Sequence, residues 1–239
     1  MDFVLIPGAW LGGWSWEKVS EILIKKGHRA FCVTLTGMGN RVHLARPDLS
    51  LADAINDVQN VIRYDAPLNP VIVGHSFAGV LASKIADLNY GSISGLIFFD
   101  SSIPQYTEEV QGGIEQWSEK DRKEFLDDVR SKGKGWQFLL SDEVFSKIGG
   151  DFSESQKLDF YSRITPMPYR YIADSIQLTS NYPKIKKAHI LCTGGGDDPN
   201  EIIKSYLFGP YKVIDSGHWP MITKPEETAD DLISLAGSF

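Results

Sequence analysis

The chain has 239 residues, of which 31 are acidic and 24 are Lys or Arg, and its net charge at pH 7 is −7. The length suffices for one large α/β domain, or for a core with a sizeable insertion, and a hydrophobic content of 42% with a charged content of 23% is ordinary for a soluble globular protein. The acidic balance disfavours nucleic acid as a partner, because phosphate contacts require clustered Lys and Arg.

The first hundred residues alternate short apolar segments with amphipathic ones. The opening apolar segment is broken at Pro7, too early for a signal peptide or a membrane span, so we expect a cytoplasmic protein that does not enter a membrane. Ser50 and Asp53 form a capping box that starts a helix. Strands separated by helices of this length imply right-handed crossovers and a parallel sheet with helices on both faces. The predicted strands are 3–6, 30–35, 71–73 and 95–99, and the predicted helices are 17–26, 51–64 and 80–86.

The alternation stops between about Ser101 and Pro183. This stretch has no clear buried strand, and it contains polar helical segments, glycine breaks and many aromatic residues. The pattern resumes with predicted strands at 188–192 and 211–215 and predicted helices near 201–207 and over 225–236. We therefore expect an α/β core formed by residues 1–100 and 184–239, and a helical cap formed by residues 101–183 over the carboxyl end of the sheet.

The turn after the strand 71–73 reads Gly74-His75-Ser76-Phe77-Ala78-Gly79. Small residues here let strand and helix approach closely, and a serine on so sharp a turn has an exposed hydroxyl, as in a nucleophile elbow. The Gly-x-Ser-x-Gly pattern is imperfect because Ala78 replaces a glycine, which the turn tolerates if φ at Ala78 is negative. The alternative is an ordinary strand-to-helix turn whose small residues serve packing alone.

Two further side chains complete a catalytic arrangement with Ser76. Loops at the carboxyl ends of parallel strands converge on one crevice, and His218 directly follows the last predicted strand. Serine needs an imidazole to take its proton, and the imidazole needs a carboxylate to orient it. We expect His75, beside the nucleophile, to point away from the site.

The carboxylate has three candidates. Asp198 is preferred because it follows a strand and precedes Pro199, which biases its backbone to an extended conformation. Asp197 and Asp198 alike give the chain order serine, acid, histidine. Asp197 is an alternative that instead suits a helix cap, and Asp100, at the end of strand 95–99, is a third.

Acyl transfer also needs donors for the developing oxyanion, usually two backbone N–H groups. The residue after the nucleophile, Phe77, supplies one. The loop that follows the first strand, Pro7-Gly8-Ala9-Trp10, supplies the other.

Four segments carry a resemblance to a known family, and they are 3–16, 34–44, 74–79 and 217–221. Together they resemble one branch of the α/β-hydrolases, which includes plant methyl-ester esterases, hydroxynitrile lyases and bacterial pyrethroid-type carboxylesterases. The resemblance covers the chain outside the cap and implies a mostly parallel sheet of about six strands. It assigns the second oxyanion N–H to Ala9. Pro7 departs from the family, which usually has His there, but the N–H of Ala9 is unaffected.

These residues predict a serine carboxylesterase for small lipophilic esters that forms an acyl-enzyme and needs no cofactor. Cys32 and Cys192 lie in strand-like runs and predict buried free thiols, not a disulfide or a metal site. The expected partner is a small-molecule ester, and a homodimer is left open. An apolar pocket is expected from Trp10, Trp14, Trp117, Trp136, Phe138 and Trp219.

Other functions on the same framework remain open. A ligand receptor could retain all three residues yet hardly turn over, and acyl transfer or hydrolysis of a C–C bond are further enzyme classes. The resemblance disfavours a hydroxynitrile lyase, because that branch pairs a threonine near the oxyanion loop with a lysine after the histidine. The matching positions here are Gly8 and Trp219.

Overall fold

A computed structural model describes residues 1–65, 68–104, 106, 112–195, 199 and 209–239. Its strands are β1 (Asp2–Ile6), β2 (Arg29–Cys32), β3 (Val71–His75), β4 (Gly95–Phe99), β5 (Gln137–Phe138), β6 (Met167–Pro168), β7 (Lys187–Gly194) and β8 (Tyr211–Gly217). Its helices are α1 (Glu17–Lys25), α2 (Leu51–Tyr64), α3 (Ala78–Leu88), α4 (Glu119–Lys132), α5 (Asp142–Ile148), α6 (Glu154–Arg163), α7 (Arg170–Ala173), α8 (Pro220–Thr223) and α9 (Pro225–Ala236).

Six strands form one sheet in the order β2-β1-β3-β4-β7-β8, and every neighbouring pair is parallel. The predicted parallel α/β architecture is therefore confirmed. Strands β3 and β4 are buried along their whole length, which explains their continuous apolar sequences, since helices cover both faces of such a sheet. Their register pairs His75 with Phe99, so the chain leaves both strands at the same edge of the sheet.

Most predicted elements are present with boundaries shifted by one or two residues, and the second strand differs most. The second strand was expected to reach Leu35 but ends at Cys32, although the N–H of Val33 still donates to Leu5 O at 3.0 Å. Helices α2 and α9 have the predicted limits, and the capping box of Ser50 and Asp53 is present. The helix predicted near 201–207 lies outside the described residues.

The segment predicted as a cap carries α4 to α7 and a small antiparallel pair, β5 with β6. Part of this segment joins the apolar core of the sheet, including Phe145, Phe160 and Met167. A second, smaller cluster contains Ile114, Phe125 and Val129 on and before α4. The division of the chain into core and cap stays a prediction. Within the described ranges, no helix has the length and apolar character needed to cross a membrane.

Candidate active site

Ser76 sits between β3 and α3 with φ of +59°, a conformation that non-glycine residues rarely adopt and that strains the backbone. The turn is crowded: a Cβ added to Gly74 would lie 2.6 Å from Ala82 Cβ, and one added to Gly79 would lie 2.1 Å from Ser102 O. Ala78 is the first residue of α3 and its φ is not positive. The local geometry is thus that of a nucleophile elbow.

His218 follows β8 and its ring nitrogen Nδ1 lies 2.5 Å from Asp100 Oδ2. Both side chains are largely buried, with exposed fractions of 11% and 10%. The other carboxylate oxygen of Asp100 accepts the N–H of Cys192 on β7 at 3.0 Å, so the carboxylate is held at both oxygens.

Asp100 occupies a tight corner at the end of β4. Its φ is +41°, and its N–H donates to Ile190 O at 2.7 Å. A Cβ at Gly195 would come within 2.1 Å of Asp100 Oδ2, so only glycine fits beside the carboxylate. The preferred candidate Asp198 and its neighbour Asp197 lie outside the described residues, and Asp198 stays a prediction. Asp100, the third candidate from the sequence, contacts Nδ1 of His218.

His75, which the sequence predicted to point away from the site, has its ring packed behind His218. Its fully buried ring donates from Nε2 to His218 O at 2.8 Å, and the two ring centroids are 4.6 Å apart. Burial, and secondarily the charge of His218, lowers the pKa of His75 well below its usual value, so it is neutral. No side chain fits at Gly8, where a Cβ would be 2.4 Å from His75 Nδ1.

The two predicted oxyanion donors border the elbow. Among the described residues, the N–H groups of Ala9 and Phe77 donate to no protein acceptor. Donors without a protein partner are what an oxyanion hole needs. Trp10 follows with φ of +66°. Its indole N–H donates to Phe138 O at 3.1 Å, and its carbonyl accepts the N–H of Thr165 at 3.0 Å, which fixes the loop against the cap segment.

A cavity of about 300 Å³ is lined by Phe77 and Val80 and by residues of the segment predicted as the cap, and its described lining includes neither Ser76 nor His218. Of the six predicted pocket aromatics, Trp117 lines it. The described lining residues are uncharged. They are Phe77, Val80, Ser102, Ile103, Pro104, Gly112, Gly113, Gln116, Trp117, Tyr171 and Ile172.

The other five aromatics do not line this cavity. Trp10 and Phe138 pack on each other with centroids 5.1 Å apart. Trp219 is fully buried in an aromatic cluster, with its ring 5.5 Å from that of His218. Trp14 lies beside a different groove, and Trp136 is half-buried. Their role as substrate contacts stays a prediction.

The cap segment also contacts the backbone of the histidine loop, which the sequence did not indicate. The N–H of His218 donates to Ile148 O at 2.8 Å, and that of Gly217 donates to Asp151 Oδ1 at 3.1 Å. No local pattern predicts contacts between segments so distant in sequence. Asp100, by contrast, had a readable signal, because it ends the strand next to the elbow strand.

A sequence model of the alpha/beta hydrolase family matches residues 3–231. The chain belongs to this family. This confirms the resemblance seen in the four sequence segments and agrees with the sheet order and the elbow.

Several members of the alpha/beta hydrolase family are similar to this chain. A carbendazim hydrolyzing esterase from Nocardioides sp. (strain SG-4G) is 35% identical over 44% of this chain and 43% of that protein. Methylesterase 9 of Arabidopsis thaliana is 26% identical over 99% of this chain and 98% of its own. Relatives that carry esterase names support ester hydrolysis as the general activity.

Solved structures support the fold. An extracellular alpha/beta-hydrolase from a Paenibacillus species has a TM-score of 0.83 at 19% identity, with 98% of each chain covered. A pyrethroid hydrolase has a TM-score of 0.69 at 18% identity, with 100% of this chain and 98% of that chain covered.

Proposed function

We propose that the protein is a serine carboxylesterase that hydrolyses small uncharged esters through an acyl-enzyme. The observation that carries this proposal is the 2.5 Å contact between His218 Nδ1 and the buried carboxylate of Asp100, beside the strained elbow of Ser76. A nucleophile, a base and an orienting acid are the groups that acyl transfer needs.

In the proposed mechanism Asp100 keeps the proton of neutral His218 on Nδ1. The lone pair on Nε2 then takes the proton of Ser76 as its Oγ attacks the ester carbonyl. The carboxylate stabilises the imidazolium that forms, and the imidazolium returns the proton to the leaving alcohol. Water attacks the acyl-enzyme by the same proton route and releases the acid.

Negative charge on the carbonyl oxygen is stabilised by the N–H groups of Ala9 and Phe77. Neither N–H has an acceptor among the described residues, so both can donate to the oxyanion without breaking a protein hydrogen bond. The contacts that hold Trp10 keep the first of these donors in place.

The cavity beside Phe77 supports the choice of substrate. Its volume of about 300 Å³ lies at the lower end of the range for small-molecule sites, and its described lining has no formal charge. Such a site favours small uncharged acyl or alcohol groups over carboxylates, amines and phosphates, because an unpaired charge is costly to desolvate. The relatives named methylesterases agree with a small leaving alcohol.

Cleavage of hydroxynitriles is less compatible with the site. The lyase branch of the family uses a threonine hydroxyl near the oxyanion loop and a lysine after the catalytic histidine. Here a side chain at Gly8 would collide with His75, and the residue after the histidine is the buried Trp219. Neither group is available for a cyanide leaving group.

The test compares the wild type with Ser76→Ala on p-nitrophenyl esters of increasing acyl length. We expect hydrolysis in the wild type and a loss of about 10⁴-fold or more in kcat in the variant, whose folding is checked by circular dichroism. A fluorophosphonate probe is expected to label Ser76 alone. A flat profile at the uncatalysed rate would favour a receptor, and labelling elsewhere would refute Ser76 as nucleophile.

A further inference from the structure

The backbone of the candidate general base is held from the cap side by one short loop. This 148–151 loop, Ile148-Gly149-Gly150-Asp151, follows α5. It accepts the N–H of His218 on Ile148 O at 2.8 Å and the N–H of Gly217 on Asp151 Oδ1 at 3.1 Å. Two consecutive amides of the histidine loop are therefore bonded to the segment predicted as the cap.

The two backbones are also in direct contact. Gly150 has φ of +60°, and a Cβ there would lie 2.6 Å from Gly217 Cα. Conversely, a Cβ on Gly217 would lie 2.7 Å from Ile148 O and 2.6 Å from Gly149 O. With no room for a side chain between them, a shift of the 148–151 loop has to displace Gly217 and the ring that follows.

On the opposite side, His218 is fixed through its carbonyl by His75 and through Nδ1 by Asp100. The 148–151 loop binds the amides of Gly217 and His218 from a third side. The position of the imidazole is therefore fixed by His75, by Asp100 and by this loop. Of these anchors, Asp151 is the one whose side chain is exposed, yet its carboxylate reaches a backbone N–H of the histidine loop. The end of β8 is irregular here, because the register with β7 shifts between Cys192 and Gly194.

We propose that Asp151 is a positioning residue for His218, and that the 148–151 loop makes the cap segment part of the catalytic apparatus. The inference rests on the proposed function, in which His218 is the general base. It departs from the simpler expectation that the cap sets specificity and leaves the chemistry to the core. The physical reason is that a displacement of about 1 Å in a reacting group can cost about 10²-fold in rate.

The test uses the full chain and three substitutions. Asp151→Ala removes the acceptor, and we expect kcat to fall about tenfold or more while KM changes less than about twofold. Asp151→Asn retains a carbonyl oxygen for Gly217 N–H and is expected to stay within about threefold of wild-type kcat. The matched control is Asp128→Ala, an exposed aspartate on α4 that pairs with Lys132. It is expected to have no effect on either constant.

The outcomes separate positioning from general destabilisation. Wild-type kcat in Asp151→Ala, or an equal loss in the Asn and Ala variants, would overturn the proposal. Asp151→Ser, which also removes the carboxylate, replaces the alanine variant if that variant does not fold.

A second measurement does not depend on activity. Amide hydrogen exchange, followed by NMR, is expected to be faster at Gly217 and His218 in Asp151→Ala than in the wild type or Asp128→Ala. Unchanged exchange would overturn the inference. If the wild type hydrolyses no ester, the proposed function is refuted. Faster exchange at Gly217 and His218 in Asp151→Ala would then still support the role of Asp151 in positioning the histidine loop.

Discussion

Replacing Asp100 by Asn tests which carboxylate orients the histidine. The asparagine amide has one acceptor and one donor group, and Cys192 N–H at 3.0 Å requires the acceptor. The NH₂ group then faces His218 Nδ1, which the structure places 2.5 Å from the carboxylate oxygen. Nδ1 has to become the acceptor and Nε2 the protonated nitrogen, so Nε2 no longer takes the proton of Ser76.

The expected loss in kcat is about 10⁴-fold, which corresponds to about 5.4 kcal/mol of transition-state stabilisation, with KM little changed. The assay is steady-state hydrolysis of a p-nitrophenyl ester, with active sites counted by fluorophosphonate labelling. Asp198→Asn is the matched substitution at the acid that the sequence favoured, and we expect it to stay within about tenfold of wild type. A loss of about 10⁴-fold in Asp198→Asn, with Asp100→Asn near wild type, would refute the assignment to Asp100.

Three further predictions concern the pocket, the reaction class and pH. Trp117→Ala should change the ratio of kcat/KM between short and long acyl esters by about 1–3 kcal/mol per methylene accommodated. The control Trp14→Ala, beside another groove, should leave this ratio unchanged. Identical chain-length profiles for Trp117→Ala and the wild type would count against this cavity as a subsite. Incubation with mandelonitrile should release cyanide no faster than buffer, and release that disappears in Ser76→Ala would reassign the reaction. Because burial lowers the pKa of His75, the unfolded chain binds a proton that the folded chain does not as pH falls below about 6.5. The unfolding free energies of the wild type and of His75→Gln are measured by urea titration between pH 6.5 and pH 5. As pH falls, that of the wild type should decline more steeply, by up to ~1.4 kcal/mol per pH unit. Equal slopes in the two proteins would contradict this reasoning.

Local sequence signals were sufficient for the elements that they control directly. The capping box of Ser50 and Asp53 sets the start of α2, and Pro225 opens α9, so both helices have the predicted limits. The strand-turn-helix pattern around Ser76 also predicts the local structure directly, because close packing of the strand and the helix requires small residues on both sides of the serine.

What the sequence did not reveal depends on long-range placement. Asp100 ends β4 and His218 follows β8, and the two meet at the edge of the sheet where β7 lies between those strands and also brings Cys192 N–H to the carboxylate. The sequence offered Asp100 as a candidate but did not reveal this strand order. The contact of Asp151 with Gly217 joins residues 66 positions apart, and no local pattern indicates it. Aromatic composition alone does not distinguish a side chain buried in a cluster from one that lines a cavity, as Trp219 and Trp117 illustrate.

The strand order has a consequence for synthesis of the chain on the ribosome. Strand β4 pairs with β3 on one side as soon as both are made, but its other partner, β7, is translated only after the whole segment predicted as the cap. Until Lys187 and the residues after it emerge, β4 is an apolar edge with unpaired backbone groups, the kind of surface on which nascent chains associate. A chain halted before β7 should therefore be aggregation-prone.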